Sequence, residues 1–221
     1  MQRPSNNYSN AAVQLSALEK QFQKDPGYRE SYQRVLVTYL SSGFIEEVSE
    51  TQNDGYFMPH FSMRKECSTT PLRIVFNASS KRKGELSLND CLYAGPNLVE
   101  LYNLLLRFRT NPYAVISDVS KAFLRVLLHS ADCKYVQFLW RQKPSKTATY
   151  AFRVVVFGVT TSLYLLQQVL HTHLRDNGRG ELMKSFYVDN FLKTYDSVPE
   201  MKAECKHVKA LLADTGMPLT G

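Results

Sequence analysis

The chain has 221 residues, of which 44% are hydrophobic and 12% aromatic, enough to build the core of one substantial domain or two small subdomains. Lys plus Arg exceed Asp plus Glu by 27 to 20, a net charge of +7 that favours an anionic partner but is equally compatible with a plain basic surface. No apolar run approaches the ~18 residues that a membrane span requires, and Met1 to Asn7 lack the apolar stretch of a secretory signal, so an intracellular protein, cytoplasmic or nuclear and without a membrane partner, is expected.

The first ten residues are polar and read as a loose segment. Leu15, Leu18 and Phe22 then suggest a short helix. Asp25-Pro26 supplies a cap and a first-turn proline for a second helix, whose face of Tyr28, Tyr32, Val35, Leu36, Tyr39 and Leu40 stops at Gly43. From Gly55 to Asn77 the pattern becomes extended: Tyr56 to Phe61 and Leu72 to Phe76 read as a β-hairpin around a basic loop that includes Arg64, Lys65 and Cys67. Ser79 to Gly84 is a second basic turn. Asn97 with Glu100 has capping-box spacing and predicts a helix with Leu98, Leu101, Leu105 and Phe108 on one face, closed by Asn111-Pro112.

A strand over Ala114 to Asp118 is followed by two more, Tyr135 to Trp140 and Tyr150 to Phe157. Gly158 to Ser162 is a small-residue turn into a helix striped by Leu163, Leu166, Leu170 and Leu174 and ended by Asn177-Gly178. His171 and His173 are two apart on it, a spacing that does not share a metal on a helix, so they are assigned to packing or surface. Cys67, Cys91, Cys133 and Cys205 are scattered and read as reduced thiols. The last helix opens at the capping box Ser197-Val198-Pro199-Glu200 and runs through Leu212 to Gly216. Antiparallel strands mixed with helices on one face make an α+β protein.

Two positions break the pattern. Tyr187-Val188-Asp189-Asn190 sets an acid and an amide at the middle of an apolar, strand-forming run, and Ala114 to Asp118 ends a β-branched strand on another acid. A buried carboxylate is costly without a partner cation, so two of them at two strand ends suggest one metal site.

Asp118-Val119-Ser120-Lys121-Ala122-Phe123, Phe157-Gly158-Val159-Thr160-Thr161-Ser162 and Tyr187-Val188-Asp189-Asn190 resemble, in order, the first three palm motifs of reverse transcriptases. Leu72 to Ser79, Ser87 to Leu92 and Gly95-Pro96 look more narrowly like the BEL/Pao-type LTR retrotransposons, and the resemblance covers about residues 12 to 221. It implies reverse-transcriptase-like fingers and palm, with an antiparallel palm sheet packed on helices. Residues 1–11 would be the loose segment, 12–112 the fingers with their N-terminal helices and 113–221 a palm. The run Asp214 to Gly221 looks like the start of a further palm motif, with thumb, connection and RNase H regions absent.

The resemblance also implies an RNA-directed DNA polymerase that adds dNTPs to a primer on an RNA or DNA template, using two Mg²⁺ ions or Mn²⁺ in their place. Asp118 and Asp189 would be catalytic and metal-binding, with the backbone carbonyl of Val119 a further ligand. Tyr187, Val188 and Asn190 would form the supporting hairpin. Phe123 would underlie the incoming sugar and exclude a 2′-hydroxyl, although a plain core role is the alternative. Arg73 would hold the triphosphate, with Lys65 or Arg64 beside it, and Gly158 with Phe157 would meet the nucleotide. Asn190 stands where a second aspartate is usual, so two carboxylates remain where many reverse transcriptases have three. Two other functions compete: an inactive or co-opted remnant that only binds nucleic acid, and a metal-dependent nuclease, which lacks a histidine or glutamate base in either motif.

Overall fold

The computed structural model of the protein describes residues 2–48, 54–64, 72–96, 100–143 and 146–220. Lys65, Cys67, Asn97 and Leu98 lie outside the described residues. The chain divides into two compact units, residues 1–93 with 127–162 and residues 94–126 with 163–221. A single cut at residue 112 therefore does not separate them, because each unit takes in two stretches of chain.

In the first unit, helix α1 spans Tyr8–Lys24 and buries Ala11, Leu15, Leu18 and Phe22, whose spacings of three and four place them on one face. It starts earlier than its apolar stripe suggests, and the polar residues before it and in its first turn are tied down. Ser5 N–H donates to Leu86 O at 2.9 Å, the buried Asn7 donates to Phe57 O at 2.9 Å, and Asn10 donates to Ser80 Oγ at 2.6 Å. Helix α2, Pro26–Ser41, begins as expected: the Asp25 side chain accepts from Tyr28 N–H at 2.9 Å and proline takes a first-turn position where no N–H is needed. It buries Tyr32 and Leu36.

Strands β1 (Ile45–Val48), β2 (His60–Arg64), β3 (Leu72–Phe76), and, after residue 127, the strands at Gln137–Lys143 and Lys146–Phe152 complete this unit. β2 and β3 pair antiparallel, with His60 opposite Phe76 and Met63 opposite Arg73. The expected hairpin is present, but its first strand starts at His60: Tyr56 to Met58 are fully buried and spend their amides on Lys134 O, Asn6 O and Gln137 O instead of on β3. The third expected apolar strand likewise stops at Phe152, although Val154, Val155 and Val156 stay buried. Phe22, Tyr32, His60, Phe76, Phe138, Trp140 and Phe152 form an aromatic core, in which Tyr32 and Trp140 stack at 5.3 Å. His60 is buried there between Tyr32 OH on Nδ1 and Leu139 O, 2.8 Å from Nε2. A carbonyl only accepts, so Nε2 carries the proton and Nδ1 accepts from the tyrosine.

The second unit opens with α3, Leu101–Arg107. Its buried residue is Leu104, at 1% exposure, while Leu101 and Leu105 are 42% and 41% exposed, so the predicted face is not the one that packs. β4 is Tyr113–Val119; counting the first unit's strands at Gln137–Lys143 and Lys146–Phe152 as β5 and β6, the hairpin strands Phe186–Tyr187 and Asn190–Tyr195 are β7 and β8, and Leu219–Thr220 is β9. The first unit's larger sheet runs β1-β6-β5, and the second unit's sheet runs β7-β8-β4-β9, all its described pairings antiparallel.

Helix α4, Ser162–Asp176, buries Leu166, Leu170 and Leu174 as predicted, but Leu163 is exposed. Its His173 donates from Nε2 to Leu211 O at 2.8 Å, and His171 is buried, so of the two roles expected, packing or surface, both take packing. Helix α5, Val198–Ala213, is capped by Ser197, whose hydroxyl accepts from Glu200 N–H at 3.4 Å, and it buries Val208 and Leu212. Cys91, Cys133 and Cys205 are free thiols, as read. No helix among the described residues is long and apolar enough to cross a membrane.

Candidate active site

Asp118 lies near the end of β4, the strand that β8 and β9 flank. Alternation along β4 sends Ser117 and Val119 to the buried face and Ile116 and Asp118 to the open one. Register sets Asp118 opposite Asn190 on β8 and opposite Thr220 on β9. Asp189 reaches the same place from the β7–β8 hairpin, whose Tyr187–Asn190 pair encloses the two-residue loop Val188-Asp189. Val119 N–H donates to Asp189 O at 2.8 Å, pinning the hairpin tip to β4.

The hairpin's geometry has a cost. Val188 sits at φ 58°, in the left-handed region that a β-branched side chain strains to occupy, at roughly 1–2 kcal/mol. A two-residue hairpin loop matched to the sheet's twist needs a positive φ at its first central position, where glycine is the usual residue. The surrounding ladder holds valine there and so fixes the direction of the next residue, Asp189.

β9 braces the other side of Asp118. Ser117 Oγ donates to Thr220 O at 2.8 Å, Thr220 Oγ1 donates to Asp118 O at 3.0 Å, and Ser120 N–H donates to Pro218 O at 2.9 Å. Ser117, Pro218 and Thr220 were not singled out from sequence, because nothing local marks a residue whose partner is about a hundred positions away.

Partial burial raises the Asp118 carboxyl above its ordinary range, and the nearby Asp189 raises it further. The two side chains are therefore close enough to repel, and neither is in an ion pair among the described residues. Asn190 Nδ2 donates to Asp189 Oδ1 at 3.1 Å, so the amide orients the catalytic candidate and adds no charge. No group of three or more His, Cys, Asp or Glu is gathered among the described residues. Two carboxylates at one sheet end, with the Val119 backbone carbonyl next to Asp118 on β4, fit hard divalent cations that take oxygen ligands. Phe123 follows on a 3-10 turn, Ala122–Arg125, which Lys121 enters at φ 53°, and it is half-buried.

Arg73, Phe157 and Gly158 belong to the first unit. Arg73 is exposed on β3, opposite Met63, and its charge acts on the Tyr39 phenol. Phe157 is 70% exposed. Gly158 adopts φ 92°, a conformation that L side chains rarely take, so glycine is required there for the backbone itself. The turn around it is held by Asn89, which accepts from Thr160 N–H at 2.8 Å and donates to Gly158 O at 3.0 Å. Arg64 ends β2, and the loop after it, with Lys65, is not described.

The family profile described as reverse transcriptase (RNA-dependent DNA polymerase) matches residues 33–220, and the chain belongs to that family. Its fold is that of reverse transcriptase fingers and palm. A crystal structure of the prototype foamy virus protease–reverse transcriptase, a CSH mutant, is similar with a TM-score of 0.69 at 17% identity, over 88% of this chain and 24% of its own. The foamy viral protease–reverse transcriptase dRH, solved in complex with double-stranded DNA, gives a TM-score of 0.68 at 16% identity, over 86% of this chain and 30% of its own. This chain thus spans less than a third of either. Comparison with curated proteins gives no match.

Proposed function

We propose that the chain is the fingers-and-palm portion of a BEL/Pao-type LTR retrotransposon reverse transcriptase, and that it extends a primer on an RNA or DNA template with dNTPs. An intracellular site of action, cytoplasmic or nuclear, belongs to the same reading. The observation that carries it is the meeting of Asp118 and Asp189 at one end of an antiparallel sheet, with Asp118 opposite Asn190 and Val119 N–H donating to Asp189 O at 2.8 Å. Asp118, Asp189 and the Val119 carbonyl would hold two Mg²⁺ or Mn²⁺ ions, whose chemistry is to lower the pKa of a primer 3′-hydroxyl and to neutralise a leaving pyrophosphate.

The remaining roles follow from side-chain chemistry. The Phe123 ring underlies the incoming sugar and clashes with a 2′-hydroxyl, favouring deoxynucleotides. The Arg73 guanidinium fork grips triphosphate oxygens, with Lys65 or Arg64 as its companion. Gly158 lets the backbone approach the nucleotide, and Phe157 flanks it. Tyr187, Val188 and Asn190 hold Asp189 in line.

A second reading, a remnant that binds nucleic acid without turnover, is favoured by Asn190, which leaves the donor set one carboxylate short. Primer extension on poly(rA)/oligo(dT) with Mg²⁺ or Mn²⁺ separates the two. Incorporation that Asp118→Asn lowers by at least about 100-fold supports the polymerase. No incorporation beside salt-sensitive RNA binding supports the remnant.

A further inference from the structure

The Asn89 side chain bridges the Gly158 turn to the basic turn of residues 79–84. Its Oδ1 accepts from Thr160 N–H at 2.8 Å, and its Nδ2 donates both to Gly158 O at 3.0 Å and to Ser79 Oγ at 2.8 Å. Thr160 N–H can only donate and Gly158 C=O can only accept, so the amide orientation is fixed by its partners. Asn89 is itself rigidly presented: its own N–H donates to Ala78 O at 3.1 Å, and the next residue, Asp90, accepts from Ser87 N–H at 2.8 Å, Ser87 Oγ at 2.7 Å and Lys81 Nζ at 2.6 Å. The Gly158 turn is also held by Ser162 Oγ donating to Val156 O at 2.6 Å and by Ser162 N–H donating to Val159 O at 3.0 Å.

We infer that Asn89 is a positioning residue for nucleotide binding: it sets the backbone at Phe157 and Gly158 at which the incoming dNTP is received. The inference rests on the polymerase reading for the identity of the ligand. It needs an amide and no other group. An aspartate at position 89 keeps the acceptor for Thr160 but loses both donors and turns a charged oxygen toward the Gly158 carbonyl. An alanine loses all three bonds.

The test titrates the full chain, as wild type and as Asn89→Asp, with a deoxynucleoside triphosphate carrying a methylanthraniloyl fluorophore on its 3′-oxygen, which binds but cannot be extended. Steady-state incorporation and thermal denaturation accompany it. The expected result is about tenfold weaker probe binding and a matching rise in the KM for dNTP, with kcat within about twofold of wild type. Equal probe binding by the two proteins overturns the inference, as does a fall in kcat at unchanged KM. Should Asn89→Asp fail to fold, Asn89→Ala, which adds no charged oxygen, is judged by the same criteria. A wild type that binds the probe more tightly than the variant yet incorporates nothing defeats the polymerase reading and sustains this one. A wild type that binds no probe overturns it.

Discussion

A carboxylate at position 190 would stand opposite Asp118 across the β4–β8 ladder, where the chain has an amide that donates to Asp189. Asn190→Asp removes that donor and adds a third negative charge. Mg²⁺ should then half-saturate incorporation at about a tenfold lower concentration, while the metal-free protein melts at a lower temperature. A magnesium titration of primer extension, paired with melting curves in EDTA, reads both effects. Asp118 itself gives a pH-dependent test. Its folded-state carboxyl is raised, by desolvation first and by Asp189 second, so folding favours the protonated form. The stability this provides is present below the ordinary carboxylate range and is lost as pH rises through the raised value. Asp118→Asn should therefore raise the melting temperature of the metal-free protein at pH 7, and the gain should shrink as pH is lowered through the carboxylate range. A destabilised variant at neutral pH would contradict the repulsion described between the two acids.

At the scale of elements, what was legible from sequence is what local chemistry controls. The caps at Asp25 and Ser197 sit where their helices begin, and each accepts the backbone N–H three residues on. Replacing either by alanine should cost about 1 kcal/mol, read as a shift in the midpoint of urea denaturation with unchanged slope. The β7–β8 hairpin with Asp189, and Asp118 on β4, were equally readable, because an acid in an apolar strand has few physical excuses. α3 was misread because a seven-residue helix has room for little pattern: its leucines at 101, 104, 105 and 106 look alike, and tertiary packing buries only Leu104. β6 ends before its apolar run does, since Arg153 turns its backbone to Leu128 and Phe44 rather than to a neighbouring strand. Asn89 was missed for a third reason: its partners at 158 and 160 lie far along the chain, and a single asparagine carries no periodic signal. Within the site, the carboxylates were therefore legible and the braces around them were not.

For the molecule as a whole, acid should be the first threat to the fold. His60 is fully enclosed in the aromatic core, and burial pushes its pKa down to about 4 from an ordinary 6.5. Protonating it would place a charge there and take away the acceptor for Tyr32 OH. Because the folded value is depressed, its neutral form contributes stability that is full above pH 6.5 and is lost as pH falls toward 4, on the order of 3 kcal/mol in all. Urea denaturation at pH 7 and pH 4.5 checks this, and His60→Phe should flatten that part of the profile even if it lowers stability at pH 7.

The two compact units are also interleaved: the chain passes from one to the other after residues 93, 126 and 162. In genetic terms, neither unit is a cassette. A truncation or frameshift anywhere between residues 94 and 162 leaves both units missing part of their chain, so neither survives such a break alone.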